Sequence, residues 1–343
     1  MFIIMMIISM LIGNDSYYNY NFQSYIYIMI IIAISIYYIF DTNYNRKKLL
    51  LIVLLIDSFY VGINTFLQLQ ITPDISRILA TSSEHAELIM GEISVKGIGS
   101  FGYFYSLVII GILLAYKLLI AKNKFVYFSL LCGILILFLN AQFTMALIFF
   151  ILFVFIVLIF ENKKDKKNII FKFIIVLVFL IFILNISKII ESISLYIGDD
   201  LSQRLKELND FIMGNELTDG DIVSRKEIYQ ISIDSFKNNI LYGSFGKHTF
   251  GGHSSILDIL AAFGLIGILV FNTFYKMYKY IKNNVDINQN NIVNITFLYY
   301  LALSFFNPSH ISTIVISLFI TLPLFLTVFY RNKGGIFKIK IFK

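Results

Sequence analysis

The sequence predicts an all-α polytopic membrane protein of about ten transmembrane helices with one large extracytoplasmic loop. Three observations carry this. Of 343 residues, 58% are hydrophobic and only 14% charged, and the mean hydropathy is +0.80, more apolar surface than a water-soluble core of this length would use. The apolar residues fall into runs at 2–13, 25–40, 49–69, 99–116, 125–139, 143–160, 169–187, 255–275, 291–306 and 311–330, most of them close to the length a helix needs to cross a bilayer. The basic residues concentrate in alternate gaps between the runs, as cytoplasmic loops do.

Run 2–13 is short for a span. It has neither a basic n-region nor a small-residue cleavage site, which argues against a cleaved signal peptide, so it reads as a first helix or a re-entrant segment. The gaps 41–48, 117–124, 161–172 and 276–290 and the tail 331–343 hold most of the 28 lysines and arginines. These segments are expected in the cytoplasm with both termini, and the alternate gaps outside. The division is therefore 1–187 with helices 1–7, 188–254 as the outer loop, 255–330 with helices 8–10, and 331–343 as a cytoplasmic basic tail.

A net charge of +7 suggests nucleic acid only until the basic residues are placed. Distributed between spans, they signal topology and give no nucleic-acid patch. The single cysteine, Cys132, lies in an apolar run, so no disulfide framework, CxxC pair or thiolate metal site is available. No P-loop, HExxH, GxSxG or strand-linked GxGxxG occurs. No cofactor and no metal is expected.

Loop 188–254 is long for a connection without structure of its own, and such loops are usually functional. Two amphipathic helices can be read in it. Leu201, Leu205, Leu208 and Ile212 share one face ahead of Gly214. Ser224 and Glu227 fit a capping box for a second helix whose stripe is Tyr229, Ile233, Phe236 and Ile240. Both are expected to lie flat on the membrane or on the bundle. Gly243 to Gly252 then forms a glycine-rich connector that ends at His253.

Several residues in this stretch suit chemistry on a phosphorylated lipid. The guanidinium groups of Arg204 and Arg225 can each bind phosphate oxygens through two parallel hydrogen bonds, or can equally serve as surface ion-pair partners. His253 can take a proton from a hydroxyl near neutral pH, or simply cap a helix. Lys247, His248 and Ser254 lie beside it in sequence. Asp57 and Asp258 sit in apolar spans, where a carboxylate usually faces a cavity or a partner. Asp258 is offset by about 140° from His253 around a helix, so direct support of that histidine does not follow. The turns Asn140-Ala141-Gln142 and Asn307-Pro308-Ser309-His310 are placed at the same mouth.

The order of these pieces resembles the O-antigen ligase and Wzy-type polysaccharide polymerase family of bacterial membrane glycosyltransferases. His253-Ser254, nine residues, Gly264, two residues and Gly267 is similar to the family's histidine-Asn/Ser followed by Gly-x-x-Gly. Arg225 with Gly243 and Gly246 looks like its arginine-to-glycine stretch, without the proline that usually precedes the first glycine, and Arg204-Leu205 looks like its earlier loop arginine. The basic residue that many members carry at the start of the helix matching 143–160 is missing in Gln142-Phe143-Thr144-Met145.

The resemblance implies a multi-pass enzyme of the bacterial cytoplasmic membrane. It would transfer oligosaccharide from undecaprenyl diphosphate to an acceptor sugar hydroxyl, making capsule, O-antigen or exopolysaccharide without a metal. Arg225 and His253 would be catalytic, and Arg204, Lys247, His248, Ser254 and Asp258 would bind substrate. Membrane lipid, a flippase and a chain-length regulator would be partners. A ligase acting on a lipid or protein acceptor fits the same residues. A flippase or other transporter would instead call for inverted repeats, paired broken helices and midplane charges.

Overall fold

The computed structural model describes residues 16–80, 97–160, 206, 207, 210, 221–244 and 250–330. Runs 2–13 and 169–187, the tail, Arg204, Lys247 and His248 lie outside the described residues, as does nearly all of the first loop helix.

The described residues form helices and turns with no strand. In chain order the helices are α1 (Ser16–Phe40), α2 (Tyr44–Leu69), α3 (Phe101–Ile120), α4 (Lys124–Ala141), α5 (Thr144–Phe160), α6 (Asp221–Asn238), α7 (Ser255–Phe263), α8 (Ile268–Asn284), α9 (Asn290–Phe306), α10 (Ser312–Ile316) and α11 (Leu322–Tyr330). Five apolar helical stretches are long enough to cross a membrane: α2, α3, α4, α7 continued by α8, and the stretch Ser312–Phe329. Helix α5 and the apolar part of α1, Ile26–Phe40, are shorter. The chain is thus an all-α membrane protein.

Helix α3 is the centre of the bundle, with 72% of its apolar stretch buried against 11% for α2. Its small residues decide this. Gly111 lets the Phe150 ring of α5 lie on the helix backbone, and Gly102 admits Ile311 and Thr313 at the start of α10. Around it, Phe104, Phe138, Phe143 and Phe150 pack ring against ring. Tyr299 of α9, fully buried, donates its hydroxyl proton to the Tyr105 carbonyl at 2.7 Å, which satisfies a polar group where no water can. Asp57 departs from expectation: it sits on the exposed side of α2, because α2 is peripheral and most of its surface faces outward.

Two helices are interrupted. Gly264–Gly267 forms one 3-10 turn between α7 and α8, and Ser317–Thr321 a π-turn between α10 and α11. Pro323 has no N–H to offer the Phe319 carbonyl one turn earlier. The hydroxyl of Ser35 on α1 donates to that carbonyl instead, so the break is stabilised from a neighbouring helix.

The gaps collect at two ends of the bundle. At one end Tyr44 donates to the Val328 carbonyl, Lys117 to the Phe329 carbonyl and Tyr116 to the Asn288 carbonyl, bringing the basic gaps 41–48, 117–124 and 276–290 together. At the other end Gln70 donates to Asn140, Phe101 meets Phe143, and Tyr229 donates to the Phe306 carbonyl at 2.8 Å. Helix α6 lies at this second end.

Candidate functional site

Among the described residues helix α6 spans Asp221–Asn238, so Ser224 of the expected capping box lies inside it. Ser224 therefore continues the helix instead of capping it. The helix runs beside α7 in the same direction. Towards α7 it turns Ser232, which is buried, whereas Ile240 of the expected stripe is half exposed.

Asp258 is the polar centre of this contact. One carboxylate oxygen accepts from the Ser232 hydroxyl at 2.7 Å and from the Gly252 N–H at 3.3 Å; the other accepts from the Ser254 N–H at 3.1 Å. Ser232 in turn accepts from the Gly251 N–H at 2.8 Å. Gly251 lies so close to α6 that a Cβ there would stand 2.3 Å from the Ile228 carbonyl. The network binds the end of the connector to α6 from both sides of His253, which is itself exposed. The Gly251–Ile228 contact ties the segment that carries His253 to α6 one helical turn from Arg225. Asp258 acts through its neighbours: all three of its hydrogen bonds go to protein groups, and it does not touch the His253 ring through any of them.

Ser254 is the N-cap of α7, accepting from the Leu257 N–H at 3.3 Å and donating to the Ser304 carbonyl at 3.3 Å. It is fully buried, so its role here is to start the helix and hold it to α9. The glycines of the Gly-x-x-Gly piece also have structural duties. Gly264 has φ +58, and a Cβ there would stand 2.5 Å from the Ile240 carbonyl and 2.6 Å from the Gly243 nitrogen. The Leu265 N–H donates to the Ile240 carbonyl and the Ser244 N–H to the Ala261 carbonyl, both at 2.8 Å. The segment after α6 thus rests backbone on backbone against the break at 264–267, and only glycine at 243 and 264 permits it.

Arg225 lies within electrostatic reach of the Tyr105 hydroxyl near the outer part of α3. The first half of α6 is tied to the end of α9 by the Tyr229–Phe306 hydrogen bond. Beneath it the turn 307–310 is fastened to α7. The Ser309 N–H donates to the Ser255 hydroxyl oxygen at 2.7 Å, and that hydroxyl meets His310 Nδ1 at 3.1 Å. Loss of solvation pushes His310 down to about 4 from its ordinary 6.5, so the ring is neutral and Nδ1 accepts from Ser255. Buried at this end without a hydrogen-bond partner among the described residues are Gln142 Oε1, Thr144 Oγ1 and Asn307 Nδ2. These unmet groups suit a hydroxyl-rich ligand, and two of them stand in the segment 142–144.

Among the described residues, no group of three or more His, Cys, Asp or Glu side chains could hold a metal ion. Sequence reasoning missed Ser232, Ser255 and Tyr105. Ser232 carried a usable signal, a small polar residue seven positions after Arg225 on the same helical face; for Ser255 and Tyr105 nothing in the spacing points to a partner. Set against family models, characterised proteins and solved structures, the chain has no match in any of the three comparisons.

Proposed function

We propose that this chain is a membrane glycosyltransferase that polymerises lipid-linked oligosaccharide repeat units at the outer face of the bacterial cytoplasmic membrane. The observation that supports it is the union of α6 with the connector: Arg225 and His253, distant in sequence, are carried on two segments joined by the Ser232–Asp258 network at one end of the bundle. Unpartnered Gln142, Thr144 and Asn307 at that end add capacity for sugar hydroxyls.

In this reading an acceptor hydroxyl attacks the anomeric carbon of the donor, and the bond from that carbon to the diphosphate oxygen breaks. His253 receives the acceptor proton. Arg225 stabilises the charge that develops on the departing undecaprenyl diphosphate. Asp258 and Ser232 position the connector. The transporter alternative draws little support: the two helix interruptions differ in kind, and neither 264–267 nor Ser317–Thr321 contains a charged residue.

Arg225→Lys and His253→Ala, each assembled normally in the membrane, are expected to abolish long-chain polymer while single lipid-linked repeats remain on the outer face. Polymer of normal length in both variants would remove Arg225 and His253 from the mechanism. Repeats accumulating on the cytoplasmic side in a deletion strain would point to a flippase.

A further inference from the structure

A second feature runs from beneath the α6 end towards the opposite end of the bundle. Between α7–α8 and α9 runs a cavity of about 430 Å³, within the range of small-molecule sites. Its walls are hydrocarbon and aromatic: Phe271, Phe274, Phe297, Leu298 and Leu301. The His310–Ser255–Ser309 cluster closes it towards the α6 end, and the neutral His310 brings no charge there. Tyr275, Tyr278 and Asn294 line its other end.

That other end is basic and ordered. Lys282 donates to the Tyr278 hydroxyl at 2.9 Å and lies 5.3 Å over the Tyr278 ring. Tyr278 passes its own proton to Asn294 at 2.7 Å. Lys279 lies 4.8 Å over the Tyr275 ring, and the two tyrosine rings stack at 6.0 Å. Positions 275, 278, 279 and 282 share one face of α8. Asp286, the nearest carboxylate in sequence, is engaged in capping 287–289, and neither lysine forms an ion pair with a carboxylate among the described residues. Both ammonium groups are thus held beside the cavity mouth by π faces and a phenol oxygen, which leaves their charge unneutralised.

We propose that this cavity is a binding site for one anionic bilayer phospholipid, its acyl chain between α8 and α9 and its phosphate between Lys279 and Lys282. The charge complementarity selects an anionic headgroup over a zwitterionic one. From Phe271 to Lys282 is about 16 Å along the helix axis, so an acyl chain entering at the lysines reaches Phe271 near mid-chain. The proposal does not depend on the glycosyl-transfer reading, and its lysine end lies away from Arg225 and His253.

The chain contains no tryptophan, so one introduced reporter is free of background. Phe271→Trp protein in nanodiscs of phosphatidylcholine would be titrated with mid-chain brominated phosphatidylglycerol or brominated phosphatidylcholine, and fluorescence quenching followed. The anionic lipid is expected to quench at a mole fraction at least fivefold lower, about fivefold per lysine. Lys279→Gln with Lys282→Gln should abolish the preference, whereas Lys122→Gln with Lys124→Gln, the same charge loss elsewhere, should not. Phe128→Trp, on the exposed side of α4, should report no preference. Equal quenching by the two lipids at Phe271→Trp, an equal preference at Phe128→Trp, or a preference that survives loss of both lysines overturns the site. Phe297→Trp on α9 replaces the reporter if Phe271→Trp does not fold, and is read by the same outcomes.

Discussion

Replacing Asp258 with alanine tests whether one carboxylate holds the connector. The side chain is buried and receives three hydrogen bonds, from Ser232, Gly252 and Ser254. Its loss leaves three donors without an acceptor. A donor orphaned in a buried setting costs about 1–3 kcal/mol. The Ser232 hydroxyl can rotate to another acceptor and the Gly252 N–H is only part-buried, so the Ser254 amide carries the firmest part of the cost. The local loss is therefore about 2–4 kcal/mol, or a fall of roughly 30-fold to 1000-fold in the closing equilibrium of 250–254 at 1.4 kcal/mol per factor of ten.

Asp258→Asn is the graded companion. Its oxygen still accepts from Ser232 and Gly252, but its amide faces the Ser254 N–H donor to donor, a loss of about 1–2 kcal/mol. Hydrogen exchange read by mass spectrometry on peptides covering 250–254 is the assay, with peptides from α3 as the internal standard. The order of protection should be wild type, then asparagine, then alanine, with α3 unchanged. Unaltered exchange at 250–254 in Asp258→Ala would show that the connector is held by other contacts, and the positioning role would fall.

Other outcomes follow from the same geometry. Gly264→Ala adds a methyl group 2.5 Å from the Ile240 carbonyl at a residue with φ +58. It should destabilise the α6–α7 pairing by about 2–4 kcal/mol, seen as faster exchange in 240–244 and a lower midpoint in thermal unfolding by circular dichroism. His310 is held neutral in the folded protein, with its value down at about 4 against 6.5 unfolded. Its contribution is complete above pH 6.5 and is lost as pH falls from 6.5 to 4, because only the unfolded chain takes up the proton in that window. The loss is about 3–4 kcal/mol at 1.36 kcal/mol per unit. His310→Gln should flatten the pH dependence of unfolding between 4 and 6.5, and an unchanged slope would contradict the assignment.

Much of the helical layout was legible in the chain. The apolar runs from 25 to 160 and from 255 to 330 became helices, although α2 starts five residues early, α8 runs on to Asn284 and two runs are interrupted at 264–267 and 317–321; an apolar setting forces the backbone to satisfy itself within each segment. The alternation of basic gaps anticipated which connections share an end of the bundle. Local signals were less dependable where a neighbour could override them. Ser224 and Glu227 form a sound capping pattern, yet Ser224 lies inside α6 and caps nothing.

Composition and periodicity determine that this is an all-α membrane protein, where its apolar helices run, and which few polar residues stand out against them. Those properties depend on the hydrocarbon surroundings and on spacing along one helix. What Asp258 does, why Gly243 and Gly264 are both glycine, and that Ser232 and Ser255 matter were decided only by tertiary structure. Each of these depends on a partner far away in the chain: Ser232 for Asp258, Ile240 for Gly264, the turn at 307–310 for Ser255. A hydrogen bond or a backbone contact between such residues leaves no period in the sequence, because its register is set by how α6, α7 and α9 pack.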